Sequence, residues 1–222
     1  MRNPRNRFAC MTCRLSARVM SHSPHPHPMH TALRHFCVLL VGPALLAGCS
    51  AARPTLSDHM TNPLFAERYG EELVNRMTEL EIQKDPLIEN AEKKADIDQV
   101  REQWMERAKK ARDVQREGAT GEFAEMKEYV RGRALLLGNT LYLSTTFESE
   151  PGPSLHLYLT TAVDPRDIAF PDPTAVDLGE LQSPYGAQTV AVPNVKDFSI
   201  LRTLVLWDTT LDRLYGFAQL SR

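Results

Sequence analysis

Residues 134–143 read Ala134-Leu135-Leu136-Leu137-Gly138-Asn139-Thr140-Leu141-Tyr142-Leu143. A Gly-Asn pair between two short apolar runs predicts strand, tight turn, strand. Similar runs follow at Leu155–Leu159, at Thr189–Val192 before Pro193, at Thr203–Trp207 and at Leu214–Leu220. The run Thr203-Leu204-Val205-Leu206-Trp207 has no polar alternation beyond its first residue, so it predicts a strand buried on both faces. Short strands separated by Gly and Pro turns point to an antiparallel β-sandwich over 119–222. The proline-rich stretch from Asp164-Pro165 to Pro173 predicts a long exposed loop.

Upstream the period changes from two to about 3.6. Asn62-Pro63 supplies a cap and a proline suited to the first helical position. Phe65, Tyr69, Leu73, Met77 and Leu80 then make one apolar stripe. Asp85-Pro86 repeats the start signal, which puts a break near residue 84. Ile97, Val100, Trp104, Ala108, Ala111 and Val114 make a second stripe, and Gly118 is placed to end it. Trp104 lies on the stripe and is expected to pack rather than to bind a ligand. The fold class expected is α+β: a helical hairpin or three-helix segment over 62–118, then the β-sandwich. Each helix has one apolar stripe, so the helices are expected to pack on the sandwich.

The chain has 222 residues, 26 basic and 28 acidic, with 42% hydrophobic residues. This composition is that of a folded domain and excludes a strongly basic nucleic-acid binder. The charge is unevenly spread. Residues 1–48 hold six arginines and no acidic residue, which leaves residues 50–222 at net -8. Residues 36–48, Phe-Cys-Val-Leu-Leu-Val-Gly-Pro-Ala-Leu-Leu-Ala-Gly, are apolar but too short to span a bilayer. They have the length of a signal-peptide core, preceded by Arg34 and His35. Leu46-Ala47-Gly48-Cys49 resembles the bacterial lipobox. That resemblance implies cleavage between Gly48 and Cys49 and a diacylglycerol thioether on the Cys49 thiol. Two or three acyl chains on one cysteine would give stable attachment, whereas one chain binds membranes only marginally. Residues 1–48 are thus expected to be a signal peptide, with translation starting at Met1, Met20 or Met29. Residues 49–61 are expected to be a lipidated cysteine and a polar tether.

Cys10 and Cys13 form a CxxC near the His22–Pro28 stretch, but no second cysteine pair exists to complete a structural zinc site. After cleavage only Cys49 of the four cysteines remains. A disulfide, a thiolate metal ligand and a cysteine nucleophile are then all excluded from the mature chain.

Gly152-Pro153-Ser154-Leu155-His156-Leu157-Tyr158-Leu159, Leu178-Gly179-Glu180-Leu181, Tyr185-Gly186-Ala187-Gln188, Val192-Pro193, Val205-Leu206-Trp207 and Tyr215-Gly216-Phe217-Ala218-Gln219-Leu220 follow one another in order. In order and spacing they resemble the DM-thirteen domain over roughly 122–222. That family is labelled an electron-transfer domain, stands beside DOMON domains in animals and occurs alone on exported bacterial proteins. The resemblance implies a redox cysteine directly after the strand tryptophan. Here that position is Asp208. A carboxylate does not cycle between thiol and disulfide, so the implied role has no carrier there. Asp208 is expected to cap the strand end or, less simply, to bind a cation.

Other chemistry is sparse. The mature chain has two histidines, His59 and His156, too few for a His-rich metal site. No nucleophile elbow surrounds Ser144, Ser154 or Ser183. Asp164, Asp167, Asp172 and Asp177 lack EF-hand spacing and an aromatic sugar platform other than Phe170, so they are expected to be solvating charges. Two function classes remain. One is a non-enzymatic binding module on a membrane anchor, facing the periplasm or exterior, with an envelope protein or polymer as partner and no cofactor or nucleic acid. The other is a redox or electron-transfer component in keeping with the family label.

Overall fold

The computed structural model describes residues 54–124, 126–193 and 195–222. The signal-peptide, cleavage and lipidation expectations at 1–49, Gly48 and Cys49 included, lie outside the described residues. The tether expected at 50–61 is folded from Thr55 onward. Thr55 and Asp58 form a capping box that starts the one-turn helix α1, Leu56–His59.

Asn62 then does what its position predicts. Its side-chain oxygen accepts from the amides of Leu64 and Phe65 and starts α2, Pro63–Ile82, with Pro63 at the first turn. The break expected near 84 is a left-handed Lys84 followed by a 3-10 turn, Pro86–Glu89, capped by Asp85. The second long helix, α3, Ala91–Gln115, takes its cap from Asn90 rather than from Asp85-Pro86. Asx-type residues recur at both starts because a short carbonyl side chain satisfies amides that the helix leaves unpaired.

The two long helices pack mainly on each other, not on the β-domain as expected. At their closest approach Gly70 meets Ala108. A Cβ on Gly70 would lie 3.0 Å from the Ala108 Cβ and 3.3 Å from the Trp104 carbonyl oxygen. Beside this contact the Tyr69 and Trp104 rings pack at a tilt with centroids 5.2 Å apart. Farther out, Glu81 bridges Lys94 and Arg101, and Asp98 joins the same two cations. Hydrogen bonds from Lys94 and then Arg101 hold the Glu81 carboxyl below its ordinary titration range. The stripes thus bury each other along one seam, and Ile82 and Leu87 near the turn stay exposed, at 75% and 51%.

Ten strands follow: β1 Ala119–Ala124, β2 Val130–Arg131, β3 Arg133–Leu137, β4 Thr140–Leu143, β5 Glu148–Ser149, β6 Leu155–Thr160, β7 Val176–Glu180, β8 Gln188–Ala191, β9 Thr203–Asp208 and β10 Arg213–Gln219. Gly138-Asn139 makes the expected two-residue turn between β3 and β4, with Gly138 at a positive φ of 57°. The α+β class, helices first and antiparallel strands after, is what the structure shows. The strands differ from a two-sheet sandwich in one respect. Eight of them form a single antiparallel sheet, ordered β7-β6-β9-β10-β1-β3-β4-β8, that curls to near closure. The short pair β2-β5 lies beside it, and a bridge from Glu148 to Tyr185 ties it to the segment joining β7 to β8. Inner side chains of nearly every strand meet in one core that includes Phe123, Leu136, Leu143, Phe147, Leu157, Leu159, Leu204 and Leu206.

Strand β9 is buried along its whole length, as its composition predicts. Leu204 and Leu206 face the inner core. Val205 and Trp207 face the opposite side, where Tyr158 and Phe217 join them. The proline-rich loop is mostly exposed, as expected, and its inner side covers that face. Pro165 is buried, and Phe170 packs on Trp207 and on Tyr158 at centroid distances of 5.1 and 5.5 Å. The Phe170-Pro171 bond is cis.

The helical hairpin joins the β-domain at its root. The Asn62 amide donates to the carbonyls of Leu143, at 2.9 Å, and Gln188, at 3.3 Å. Gln115 donates to the Pro63 carbonyl and to Glu67, so both helix ends meet at one place. Asn62 is 2% exposed, so its amide and oxygen serve two structures at once. Asn62→Ala should lower stability by about 2–3 kcal/mol, about 1 from the lost cap and the rest from buried carbonyls left unpaired. Thermal unfolding followed at 222 nm checks this, and an unchanged midpoint would mean that the root is held elsewhere.

Candidate functional site

The residue that the family resemblance singles out, Asp208, ends β9. Its side chain is 0% exposed. Oδ1 accepts from the amides of Thr210 at 2.9 Å and Leu211 at 2.8 Å, which closes the turn into β10. Oδ2 accepts from the Ser154 amide at 3.3 Å, which ties that turn to the start of β6. Thr209 strengthens the tie, its amide donating to the Ser154 carbonyl at 2.9 Å and its hydroxyl to the Ser154 hydroxyl at 2.8 Å. Asp208 therefore caps the strand end. A buried carboxylate avoids a large desolvation penalty only when donors surround it, and here three backbone amides do so.

Two further residues complete this pocket. A Cβ at Gly152 would lie 2.5 Å from Asp208 Oδ2 and 2.9 Å from the Tyr215 hydroxyl, so only glycine fits. Tyr215 reaches the site through a bulge. Leu214 pairs with Trp207 and Gly216 pairs with Leu206, which leaves Tyr215 as the extra residue. That extra residue turns the ring into the inner core while Leu214 packs on the outer one. Tyr215 is 5% exposed. Burial, then the negative charges of Asp208 and Glu128, push its phenol above the ordinary range. Arg213 is close by, but it pairs with Glu128 at 2.9 Å. The site is a desolvated carboxylate beside a neutral phenol, an arrangement suited to fixing a turn.

His156 lies on the outer face of β6. Its Nδ1 is 3.1 Å from the Asp177 carboxylate, and its ring stacks on Tyr158 at 6.2 Å. Asp177 also accepts from the Gly179 amide at 2.8 Å. Burial, then the Asp177 charge, raise the Tyr158 phenol. None of the three candidate serines is bonded to His156. Ser144 receives the Arg133 amide, Ser154 receives Thr209, and Ser183 donates to the Tyr185 carbonyl. His59 stacks on Phe65 at 5.2 Å.

Of the four aspartates expected to be solvating charges, Asp167 is exposed, whereas Asp164, Asp172 and Asp177 each hold a neighbour. Asp164 pairs with Arg166, whose guanidinium lies over the Phe217 ring. Asp172 accepts from Thr160 at 2.6 Å and from the Thr174 amide at 2.8 Å. Burial opposes ionisation of Asp172, and those hydrogen bonds outweigh it, so its carboxyl titrates below the usual range. Asp177 holds His156. Among the described residues no group of three or more His, Cys, Asp or Glu side chains converges to hold a metal ion.

Sequence reasoning placed Asp208 but missed Tyr215 and Gly152 as its neighbours. A bulge leaves no periodic signal, so Tyr215 reads as one more strand residue. The Gly152-Pro153 pair was the visible signal, and its meaning needed the Asp208 contact.

Asp208→Ala should cost about 2–4 kcal/mol, since it takes the acceptor from three backbone amides and opens a void where a fully buried side chain lay. Chemical denaturation checks this; a loss below about 1 kcal/mol would mean that the turn closes without the carboxylate. The two raised phenols give a pH dependence. A tyrosine that titrates higher folded than unfolded contributes stability fully present below the unfolded value of 10.0 and lost as pH rises through the folded one. Stability should therefore fall above about pH 10. The double variant Tyr158→Phe, Tyr215→Phe should flatten that alkaline limb, which denaturant midpoints measured between pH 8 and 12 would show.

Residues 122–220 match the family model described as Electron transfer DM13. The match begins inside β1 and ends one residue past β10, so it takes in the curled sheet and leaves out α2 and α3. No curated protein and no solved structure matches the chain.

Proposed function

We propose that this chain is a non-enzymatic interaction module, lipid-anchored through Cys49 and facing the periplasm or exterior, with a protein or polymer of the envelope as its partner. The β-domain matches a family described by electron transfer, and the chain's own residues decide how much of that description applies. The observation that carries the proposal is Asp208. At the position where the resemblance implies a redox cysteine, the chain has a fully buried carboxylate whose oxygens are taken up by backbone amides. That side chain fixes the β9–β10 turn and has no exchangeable electron. Its phenolic neighbour Tyr215 is buried and points into the core.

The anchor rests on sequence. The apolar run 36–48 and the tetrapeptide Leu46-Ala47-Gly48-Cys49 stand directly before a short polar stretch and a folded domain. Among the described residues no helix is long and apolar enough to cross a membrane. The helical hairpin supports an interaction role. It is fastened to the β-domain at one end, and its far turn presents Ile82 and Leu87 to solvent.

Labelling with a fatty acid tests the anchor. Cells expressing the chain should incorporate labelled palmitate into it, and the Cys49→Ala variant should lose the label. A label retained by that variant would sink the lipid attachment at Cys49. A visible spectrum of the purified chain tests the non-redox part, and a stoichiometric absorbing centre above 350 nm would overturn it.

A further inference from the structure

Seven basic residues lie in α3. Five of them have a carboxylate partner: Lys93 with Asp96, Lys94 and Arg101 with Glu81 and Asp98, Lys109 with Glu106, and Arg112 with Glu67 and Glu71. Arg107 and Lys110 have none among the described residues. Both are exposed, and both line one groove of about 260 Å³. The floor of the groove is apolar, made by Met60, Pro63, Ala66, Ala111 and Val114. Pro63, Ala66 and Ala111 are buried, so the floor is built into the hairpin root and is not a chance of side-chain position.

Arg107 also lies over the Trp104 ring, 4.6 Å from its centroid. Trp104 is half-buried and ends a run of adjoining rings, His59–Phe65–Tyr69–Trp104, the first three stacked and the last tilted, with spacings of 5.2, 5.9 and 5.2 Å. An apolar floor, two unneutralised cations and half-exposed aromatic rings side by side make the combination that suits the boundary between lipid headgroups and acyl chains. Amphipathic rings sit at headgroup level there, and Lys and Arg reach anionic phosphates while their stems lie on apolar surface.

The position of this patch along the chain decides between a lipid and some other acidic partner. The fold starts at Thr55, six residues after Cys49, a span of at most about 20 Å. Met60 in the groove follows directly after α1. A chain held by lipid on Cys49 therefore keeps the start of the hairpin within a short tether's reach of the membrane surface, so the groove can come into contact with the headgroups. We infer that the groove at the hairpin root docks on anionic phospholipid headgroups of the membrane that anchors the chain, with Arg107 and Lys110 as the phosphate contacts and Trp104 at the interface. This inference rests on the anchoring proposed above. It adds an orientation: the root of the hairpin faces the bilayer, and the turn near Ile82 and Leu87 points away.

Tryptophan quenching tests it. The chain has two tryptophans, and Trp207 is buried under Phe170, so Trp104 is the reporter. The lipidated protein is placed in vesicles of brominated phosphatidylcholine, with or without brominated phosphatidylglycerol. Trp104 fluorescence should be quenched in the anionic vesicles and not in the zwitterionic ones. The variant Trp104→Phe gives the background from Trp207. The double variant Arg107→Gln, Lys110→Gln should lose the quenching while keeping its palmitate label and its helix signal, because both side chains are exposed. Equal quenching in both vesicle types, or quenching untouched by the double variant, would overturn the role of the anionic headgroup. No quenching in either would overturn docking and leave the patch to an acidic protein partner. The palmitate label separates the two proposals. Quenching kept by unlabelled protein added from solution would sink the anchor and keep the docking surface.

Discussion

Strand β9 is buried on both faces and at its end, and the rest of the β-domain is arranged to make that possible. A strand with Leu204 and Leu206 on one side and Val205 and Trp207 on the other exposes apolar surface whichever way a single sheet faces water. Curling the sheet covers the inner side. The outer side needs a separate cover, and residues 161–175 provide it with Phe170, Ala175 and the stacked Arg166. A loop laid on a sheet must satisfy its own polar groups. Hence the loop is rich in aspartate and threonine, with Asp164 and Asp172 closing turns and bonding neighbouring side chains. At the end of the strand the same demand falls on Asp208. Its buried carboxylate holds the turn because the turn's backbone amides supply the donors that the carboxylate, out of reach of water, requires.

The hairpin obeys a different constraint. Two helices alone bury one seam, so residues beside the seam stay half-covered. Close approach at Gly70 and Ala108 brings the backbones near enough for the flanking aromatics and ion pairs to meet. Fastening the hairpin at its root, through the Asn62 amide on β4 and β8 and the Arg133 guanidinium donating to Gln115, leaves its length free of the β-domain. This is why the stripes that sequence reading expected to lie on the sheet lie on each other instead.

Much of this was legible in the chain. Asn62-Pro63 announces a helix because cap and proline act locally, and Gly138-Asn139 announces a turn for the same reason. The burial of β9 follows from its composition alone. What stayed hidden depends on contacts distant in sequence. Strand β1, Ala-Thr-Gly-Glu-Phe-Ala, has no apolar alternation and is a strand because β10 and β3 pair with it on either side. β7 contains Gly179 at a positive φ and is an edge strand held by β6. One curled sheet and two facing sheets give the same period-two pattern in every strand, so the pattern fixes the class and not the closure. The candidate site divides likewise. Asp208 was visible as the residue standing where the resemblance implies a cysteine, whereas the bulge that sends Tyr215 toward it has no sequence signature.

The aspartate at the end of β9, where the resemblance implies a cysteine, also bears on how a family description passes to a single chain. A thiol at that position would need little from its surroundings, because a small apolar side chain is buried at low cost. A carboxylate needs donors on every open side, and the β9–β10 turn and Ser154 supply them. The pocket around Asp208 is thus fitted to a charged, hydrogen-bonded residue, with Gly152 held so close that even a methyl group would collide with Oδ2. Once residue and surroundings are matched in this way, the position serves the fold. Among the described residues, the groups left free to meet another molecule include the turn at Ile82 and Leu87, and Arg107 and Lys110 at the hairpin root, which have no carboxylate partner.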